Sequence, residues 1–405
     1  MATTTTQVRT ATTIKVVADA NPLPDIKTLR DAIPAKCFER SLVRSFSYVV
    51  RDLIIVGTLF YSAVLLTQLD APLSVRIPLW ILYSFVQGCF FTGLWILAHD
   101  CGHDSFSDNL TVNAITGWFL HSILLVPFFS WKFTHARHHR YHNHMEKDTV
   151  FVPPRRSEVE GRKSKPSLLQ QMTDHHAADT PIVTICSLIF HQVFGWPAYI
   201  LINAGAGVKS LTRGDRLSSG RANQLHLNPK AHVFTPGEAP LVAMSNVGIL
   251  GTMAALYLAS RSIGGWNTAL AYGLPYLWMN HWIVAITYLH HTHPEASHYE
   301  ADEWTFLKGA ASTVDRDFGF IGRHIFHGII EYHVVHHMFP RIPFYHAEEA
   351  TWAIAPLLGE KYIQQKTNFL GDLWQSFVTC KFVEEGVGAK QGGLVWAKTP
   401  AKKAQ

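Results

Sequence analysis

Three short clusters of histidines have the spacing that a metal site requires. HDCGH places two histidines four residues apart, and both HARHH and HVVHH hold histidines at positions i, i+3 and i+4. Residues three and four apart share one face of a helix, so each cluster can direct two or three ring nitrogens toward one point. Neutral imidazole binds iron, copper, zinc and nickel, and this number of imidazoles suits two ions with open positions better than one ion. The candidate ligands are His99, His103, His135, His138, His139, His333, His336 and His337.

Other histidines close to these clusters lack the arrangement. His142 and His144 follow the second cluster, and we interpret them as supporting or solvated side chains that lie off its shared face. His324 and His327 are three residues apart, which is a weak signal in a single pair, and we interpret them as structural. Two copies of HxxHH in one chain argue against chance, so the sequence predicts a metal centre built from the three clusters.

The composition favours a membrane protein. Apolar residues make up 48% of the 405-residue chain and charged residues only 16%, whereas soluble domains carry roughly 25% charged residues. An aromatic content of 12% suits a chain that meets lipid and the headgroup region. The net charge of +5 comes without a basic stripe interleaved with aromatic residues, which excludes nucleic acid as a partner. Five scattered cysteines, with no CxxC pair, indicate neither a disulfide framework nor a thiolate zinc site.

Four apolar segments have the length of a membrane-spanning helix, which is roughly 20 residues. These segments are residues 53–69, 77–98, 240–259 and 263–289. A further apolar segment, residues 181–208, is interrupted by His191, Pro197 and Asn203. We therefore predict that it is interfacial or re-entrant.

Basic residues before the first span set the orientation of the chain. By the positive-inside rule they place that side of the membrane in the cytosol. Two crossings between the second and third His clusters then bring all three clusters to the cytosolic side. The predicted fold is an all-α integral membrane helical bundle, with about four spanning helices, interfacial helices and a cytosolic His-rich cap for two metals. The basic residues are Lys36, Arg40, Arg44 and Arg51.

One membrane-embedded domain is predicted over residues 24–385. Residues 1–23 are rich in Thr and Ala, lack the apolar core of a cleaved signal peptide and are predicted to form a disordered N-terminal tail. Residues 386–405 are predicted to form a C-terminal tail.

The three clusters resemble the His boxes of the membrane-bound fatty acyl desaturases, which follow the pattern HxxxH, HxxHH and HxxHH. The likeness extends to GWFLHSILLVP, HMEKDTVFVP, WIVAITYLHHTHP and FHGIIEYHVVHHMFPRIPFYHAEEAT, and it covers residues 25–385. These segments are similar to the fungal and plant acyl-lipid branch that acts toward the methyl end of the acyl chain.

The resemblance implies a di-iron centre held by the eight histidines and by one more within TYLHHTHP. We take His291 as this ninth ligand, with His290 and His293 as the alternatives. The implied cofactors are two iron ions, with O₂ as co-substrate and with no bound haem or flavin. Ligand histidines usually give their second ring N–H to a carboxylate or carbonyl. The candidates for this supporting role are Asp100, Asp148 and Asp315.

The implied activity is insertion of a cis double bond toward the methyl end of an 18-carbon acyl chain. HDCGH and FPRIP resemble the omega-3 pattern, which favours omega-3 or dual Δ12/omega-3 activity over Δ12 activity alone. The implied substrate is an acyl chain carried by a phospholipid or by CoA, and the implied location is the endoplasmic reticulum membrane.

Electrons are expected from a separate cytochrome b5 and its reductase, because neither terminus contains the HPGG pattern of a fused cytochrome b5 domain. Cytosolic basic residues are expected to meet the acidic face of cytochrome b5 or lipid headgroups. They include Lys132, Arg137, Arg140, Arg316, Arg323 and Arg341.

Three other functions are compatible with parts of this pattern. Hydroxylases and acetylenases of the same fold share the His boxes and differ in their products. A metal transporter would bind ions near the membrane midplane on broken helices, whereas these clusters lie at or beyond the ends of spans that hold no acidic residue. A membrane scaffold that binds zinc adventitiously would lack a fixed iron content.

Overall fold

The computed structural model describes residues 22–161, 180–366, 368–386 and 393–397. Helices dominate these residues, and the strands among them pair into two small sheets. All but the last two residues of the predicted N-terminal tail lie outside the described part of the chain.

A helical hairpin carries the first His cluster. After a short helix α1 (Ile26–Ala32), α2 (Leu42–Thr67) begins where the Ser41 hydroxyl accepts a hydrogen bond from the Arg44 N–H at 3.2 Å. α3 (Leu73–Gly102) returns the chain. Both long helices are apolar enough to cross a membrane. The first two predicted spans are therefore confirmed, and both helices are longer than predicted.

Two shorter helices fold back against the end of α3. They are α4 (Leu110–Ser122) and α5 (Phe128–Tyr141), and α5 carries the second His cluster. Gly117 permits the tight contact between them, because a Cβ atom there would lie 2.3 Å from the Phe128 ring. A single turn, α6 (Arg156–Glu160), follows.

Two later helices are also long and apolar enough to cross a membrane, judged by length and composition. α8 (Ala239–Ile263) confirms the span predicted at 240–259. α7 (Pro181–Ile202) meets the same criterion although the sequence predicts an interfacial helix there. Trp196 of α7 packs against Trp95, one turn before the first His cluster, with ring centroids 6.1 Å apart. This contact holds α7 near the His-bearing end of the bundle, and its interfacial placement stays a prediction.

The fourth predicted span forms a helical rod with one widened turn. The rod consists of α9 (Gly265–Thr268), a π-helical turn (Ala269–Gly273) and α10 (Leu274–His291). It is not among the four helices that meet the length and hydropathy criterion, since polar residues such as Asn280 and His281 interrupt α10. Four described helices therefore meet the criterion, which agrees with the predicted number, but they include α7 in place of this rod.

The chain after α10 forms a cap that carries the third His cluster. β1 and β2 pair in parallel, with Val314 opposite Ile363. The elements of this cap are α11 (Phe306–Ala311), β1 (Val314–Arg316), α12 (His333–Met338), α13 (Phe344–Leu358), β2 (Ile363–Gln365), α14 (Phe369–Thr379), β3 (Val383–Glu385) and β4 (Leu394–Trp396).

The predicted C-terminal tail contains part of the folded unit. β4 pairs with β3 in antiparallel register, with Trp396 opposite Val383. Trp396 is buried in a small apolar cluster with Met145 and Cys380. The predicted boundary at residue 385 therefore cuts through a sheet and is wrong for this strand; the sequence signal was weak because the strand has only three residues.

The packing of the helices separates a buried centre from an apolar surface. The second half of α3 is almost wholly buried, and Leu94, Leu97 and Ala98 are fully enclosed by the surrounding helices. In contrast, α2 and α8 expose large apolar side chains such as Ile54 and Leu258. An exposed apolar surface of this extent suits contact with lipid, and it confirms the predicted membrane bundle.

Candidate metal centre

Four elements end at a common place and bring the clustered histidines together. The last turn of α3 holds His99, and His103 caps that helix. The last turn of α10 ends with His291. α5 carries the second cluster, and α12 consists almost entirely of the third cluster, HVVHHM. The second and third clusters therefore lie within short helices, whose backbone sets the direction of each imidazole ring.

Five of the predicted ligands form what we call the first histidine group. Their candidate ligand nitrogens all lie within 4.8 Å of one another. The Nε2 atoms of His135 and His139 are 3.1 Å apart, and the ring centroid of His336 lies 4.7 Å from that of His99. Nitrogens at this separation can share one ion. The members are His99, His103, His135, His139 and His336.

Four further histidines form the second histidine group under the same 4.8 Å limit. The Nε2 atoms of His138 and His291 are 3.2 Å apart. The rings of His142 and His337 have centroids 4.4 Å apart. The members are His138, His142, His291 and His337.

His142 is the member that the sequence interpretation did not identify as a ligand. It lies four residues after His138, where α5 ends and the backbone turns to φ −50°, ψ 133°. That turn brings its ring, which is 1% exposed, toward the second histidine group. The i+4 spacing from His138 was the available signal. His144, interpreted in the same way, lies outside both groups, with its Nδ1 accepting a hydrogen bond from the Glu146 N–H at 3.1 Å.

His333 is the predicted ligand that neither group includes. Its Nδ1 lies 3.1 Å from the carbonyl oxygen of Ile329, and its Nε2 lies 3.2 Å from Nε2 of His337. Its ring centroid is 5.2 Å from that of His291. The side chain therefore stands beside the second histidine group, with one nitrogen still directed toward it.

The TYLHHTHP segment offers three histidines, of which one joins a group. His290 has its two ring nitrogens against backbone carbonyl oxygens, with Nε2 2.9 Å from Ile330. His293 accepts a hydrogen bond from the Glu295 N–H at 3.2 Å. His291 alone of these three lies within a histidine group in the described chain. The geometry thus supports the choice of His291.

Asp148 fixes the orientation of one ring in the second histidine group. Its Oδ1 accepts a hydrogen bond from Nδ1 of His138 at 2.7 Å, which leaves Nε2 of that ring for a metal. The same carboxylate accepts the backbone N–H groups of Asn143 and Thr149 at 2.8 and 2.6 Å. The two backbone hydrogen bonds hold the carboxylate in place. The His138 ring therefore cannot rotate without losing its hydrogen bond to Asp148.

Of the other two candidate carboxylates, one lies beside an imidazole ring and the other contacts the backbone and a tyrosine. Asp100 Oδ1 lies 3.4 Å from Nδ1 of its neighbour His99, and Asp100 Oδ2 accepts the Phe344 N–H at 3.2 Å. Asp315 accepts the Val334 N–H at 2.7 Å and the Tyr362 hydroxyl at 2.7 Å. Asp315 thus holds the first turn of α12 rather than an imidazole.

Burial keeps these imidazoles in the form that binds metal. The pKa values of His139, His142 and His337 lie well below the usual range, first because burial penalises the charged ring and then because neighbouring histidines add repulsion. A neutral ring keeps a lone pair on one nitrogen, which is the electron pair that a metal takes.

A narrow apolar cavity adjoins both groups. It has a volume of about 90 Å³, and its lining includes His99, His135, His138, His291 and His333. Aromatic and aliphatic side chains line the rest, and we call this space the metal cavity. These side chains include Trp95, Ile96, Trp196, Ile283 and Val284.

The chain is similar to known fatty acid desaturases and to an oleate hydroxylase. The sequence profile of the fatty acid desaturase family matches residues 76–368. An oleate hydroxylase of Claviceps purpurea is 42% identical over 91% of this chain and 79% of its own. A Δ12 fatty acid desaturase of Mortierella isabellina is 41% identical over 89% of this chain and 88% of its own. A Δ12-oleate desaturase of Trichosanthes kirilowii is 39% identical over 94% of this chain and 96% of its own.

The chain belongs to the fatty acid desaturase family. The predicted family and its methyl-end branch are therefore confirmed. In this desaturase the residues present fit a metal site, since Nε2 of His103 and Nε2 of His336, both in the first histidine group, are buried without a hydrogen-bond partner among the described residues. Orphaned nitrogens of this kind cost stability unless a ligand satisfies them.

The basic residues predicted to meet an electron donor differ in availability in this desaturase. Arg316 is 6% exposed and forms an ion pair with Asp372 at 2.6 Å, so the prediction for Arg316 is wrong. Arg137 is half-buried and paired with Glu238 at 2.7 Å. Two of the residues remain exposed without an ion pair in the described chain. They are Arg140 and Arg341.

Proposed function

We propose that this enzyme inserts a cis double bond into an 18-carbon acyl chain toward its methyl end, with the Δ12 position of oleoyl chains as the first candidate. The observation that carries the proposal is that members of both histidine groups line a small apolar cavity. The related Δ12 desaturases support the position.

The proposed metal is iron, two ions per chain. The first and second histidine groups would hold one ion each, with His333 available beside the second group. Removing hydrogen from an unactivated methylene is beyond side-chain acids and bases, and a di-iron centre with O₂ supplies that oxidation when bound.

The side chains of the enzyme position and shield the reacting carbon. Trp95 and Val284 line the metal cavity beside His99 and His135. Because these walls are apolar, they can hold a polymethylene chain taken from the lipid without exposing it to water, and they keep bulk water from the centre. Asp148 meanwhile keeps the His138 proton on Nδ1. The geometry thus serves orientation and water exclusion.

Two other outcomes have specific support. The HDCGH and FPRIP segments favour omega-3 desaturation, alone or together with Δ12 activity. The relatives also include oleate hydroxylases of Claviceps purpurea and Ricinus communis, which supports hydroxylation of the same chain as an alternative.

The proposed electron donor is cytochrome b5 with its reductase, at the cytosolic face of the endoplasmic reticulum membrane. Arg140 lies one residue beyond His139 at the exposed end of α5, and Arg341 follows α12. A basic surface close to the centre suits an acidic electron carrier. Reversing both charges should raise the KM for cytochrome b5 on the order of tenfold at low salt and change the iron content little.

The experiment that tests the activity is a fatty-acid profile of yeast that expresses the chain and is fed oleate or linoleate. We expect linoleate from oleate if the enzyme is a Δ12 desaturase, and linolenate from linoleate if it has omega-3 activity. H135A should abolish the product, whereas H324A, at an exposed histidine outside both groups, should retain it. Hydroxylated products would favour the alternative, and an unchanged profile with correctly inserted protein would contradict the proposal.

A further inference from the structure

A second cavity of about 640 Å³ lies next to the metal cavity. Phe151, Gly195 and Ala204 line both spaces, so they form a common neck between the two. The second cavity is also bounded by Pro153, Arg155 and other residues of the loops around α6 and α7. At this neck the metal cavity therefore lies directly beside the much larger second cavity.

The neck has the properties of a passage for a polymethylene chain. Gly195 leaves room that a side chain would remove, since a Cβ atom there would lie 3.1 Å from a methyl group of Val284. Phe151 adopts a left-handed conformation with φ +51°, which costs free energy for a residue other than glycine. The adjoining Val152 N–H donates to Gly205 O at 2.9 Å, and this bond holds the turn in place. This hydrogen-bonded turn thus keeps the aromatic ring of Phe151 at the neck despite the strained backbone.

The second cavity differs from the metal cavity in carrying charged groups. Arg155 is more than neutralised there, because its single guanidinium binds two carboxylates, Glu300 at 2.6 and 2.8 Å and Glu158 at 2.8 Å. Arg216 is half-buried, and its guanidinium donates to Ala206 O at 2.8 Å and to the Gln224 side chain at 3.0 Å. No carboxylate pairs with Arg216 in the described part of the chain. A partly desolvated positive charge that no described carboxylate contacts therefore faces the second cavity.

Burial alone accounts for the lowered pKa of Arg216, which has no acidic neighbour to offset the penalty. A guanidinium remains charged even so, because its pKa starts far above neutrality. An uncompensated, partly buried arginine gains free energy from an anion that completes its hydrogen bonds, and phosphate matches the planar fork best.

We propose that the second cavity holds the phosphate-bearing head of the acyl carrier, with Arg216 binding the phosphate while the acyl chain passes Phe151 into the metal cavity. This inference rests on the proposed function and assigns the acyl carrier a place. The same phosphate chemistry occurs in a glycerophospholipid and in CoA. A free fatty acid has only a carboxylate as its head, so it would leave most of the second cavity unfilled.

The experiment measures equilibrium binding of three oleoyl ligands to the purified, iron-loaded full-length protein in detergent. The ligands are 1-oleoyl-lysophosphatidylcholine, oleoyl-CoA and 1-monooleoylglycerol, of which the last has no phosphate. We expect the wild type to bind at least one phosphate-bearing ligand about tenfold more tightly than monooleoylglycerol. The preferred phosphate ligand then distinguishes the lipid from the CoA source.

R216Q should remove that difference, and R216K should retain part of it because the charge remains. The matched control is R221Q, at an exposed arginine five residues along the same loop that does not line the second cavity; it should bind like the wild type. Equal binding of all three ligands by the wild type overturns the inference even if R216Q fails to fold. An unchanged preference in folded R216Q overturns it as well. Neither result bears on the yeast product profile, so the proposed function stands or fails separately.

Discussion

The Asp148 carboxylate couples the loop after α5 to the second histidine group. It is 2% exposed, and it accepts hydrogen bonds from His138 and from backbone N–H groups at once. D148N keeps the size of the side chain but removes the charge that fixes the His138 tautomer. We expect iron affinity and desaturation to fall about 10- to 100-fold.

Iron per folded chain and product formation in yeast membranes measure this effect together. D108N is the matched control, since Asp108 lies at the surface with a 74% exposed side chain in an ion pair with Arg40. If D148N retained wild-type iron content and activity, Asp148 would have no role in orienting the ring.

His142 provides a second test at the scale of single residues. Its position within 4.8 Å of the other three members predicts that H142A loses most of the metal of the second histidine group. H144A should keep it, because that ring lies outside both groups and packs on Trp304 with centroids 5.5 Å apart. Iron analysis of the two purified variants compares them directly. Equal iron in H142A and H144A would return His142 to a supporting role.

At the scale of elements, Arg316 ties three of them together. It is the last residue of β1, forms an ion pair with Asp372 of α14 at 2.6 Å, and donates to the Leu289 carbonyl of α10 at 3.0 and 3.1 Å. Leu289 lies two residues before His291, so the hydrogen bonds from Arg316 hold the helix end that carries a proposed ligand. R316Q leaves a buried carboxylate without its partner, which costs roughly 3–5 kcal/mol.

We therefore expect R316Q to lower the midpoint of thermal unfolding and to reduce iron binding by His291. R323Q serves as the control, because the Arg323–Asp317 pair at 2.8 Å is largely exposed, and such pairs contribute about 0–1 kcal/mol. Circular dichroism of both variants in detergent gives the midpoints. An R316Q midpoint equal to that of R323Q would show that the buried pair contributes little.

The sequence predicts the helical parts of the site better than its loops. The spacing of His135, His138 and His139 identifies a helix face, because the helical period is fixed by the backbone. The role of Arg316 could not be predicted, since its partner Asp372 lies 56 residues away and the depth of both side chains depends on how α14 packs. His142 was missed because the helix ends there, and the exit direction of the backbone decides where its ring points.

At the scale of the whole molecule, we expect metal binding to the two histidine groups to raise the free energy of unfolding. Four separate elements bring nine imidazoles into contact, and several nitrogen atoms there are buried without a partner among the described residues. An ion that binds the folded chain but not the unfolded chain stabilises it by about 4 kcal/mol at a free concentration a thousand times its Kd. Residual binding by HxxHH in the unfolded chain reduces this value.

Chelator-treated protein should therefore unfold at a lower temperature than the iron-loaded enzyme, and added Fe²⁺ should restore the midpoint. Zn²⁺ should restore the midpoint as well, because imidazole binds zinc, but it should not restore desaturation, because zinc has no redox chemistry. Zn²⁺ would thus restore stability without restoring activity. This result distinguishes an enzyme from a scaffold that binds zinc adventitiously, because a scaffold would form no product with either ion. Thermal unfolding and product assays on the same samples measure both properties. An unfolding midpoint that does not respond to chelation would mean that the buried imidazoles satisfy one another without a metal.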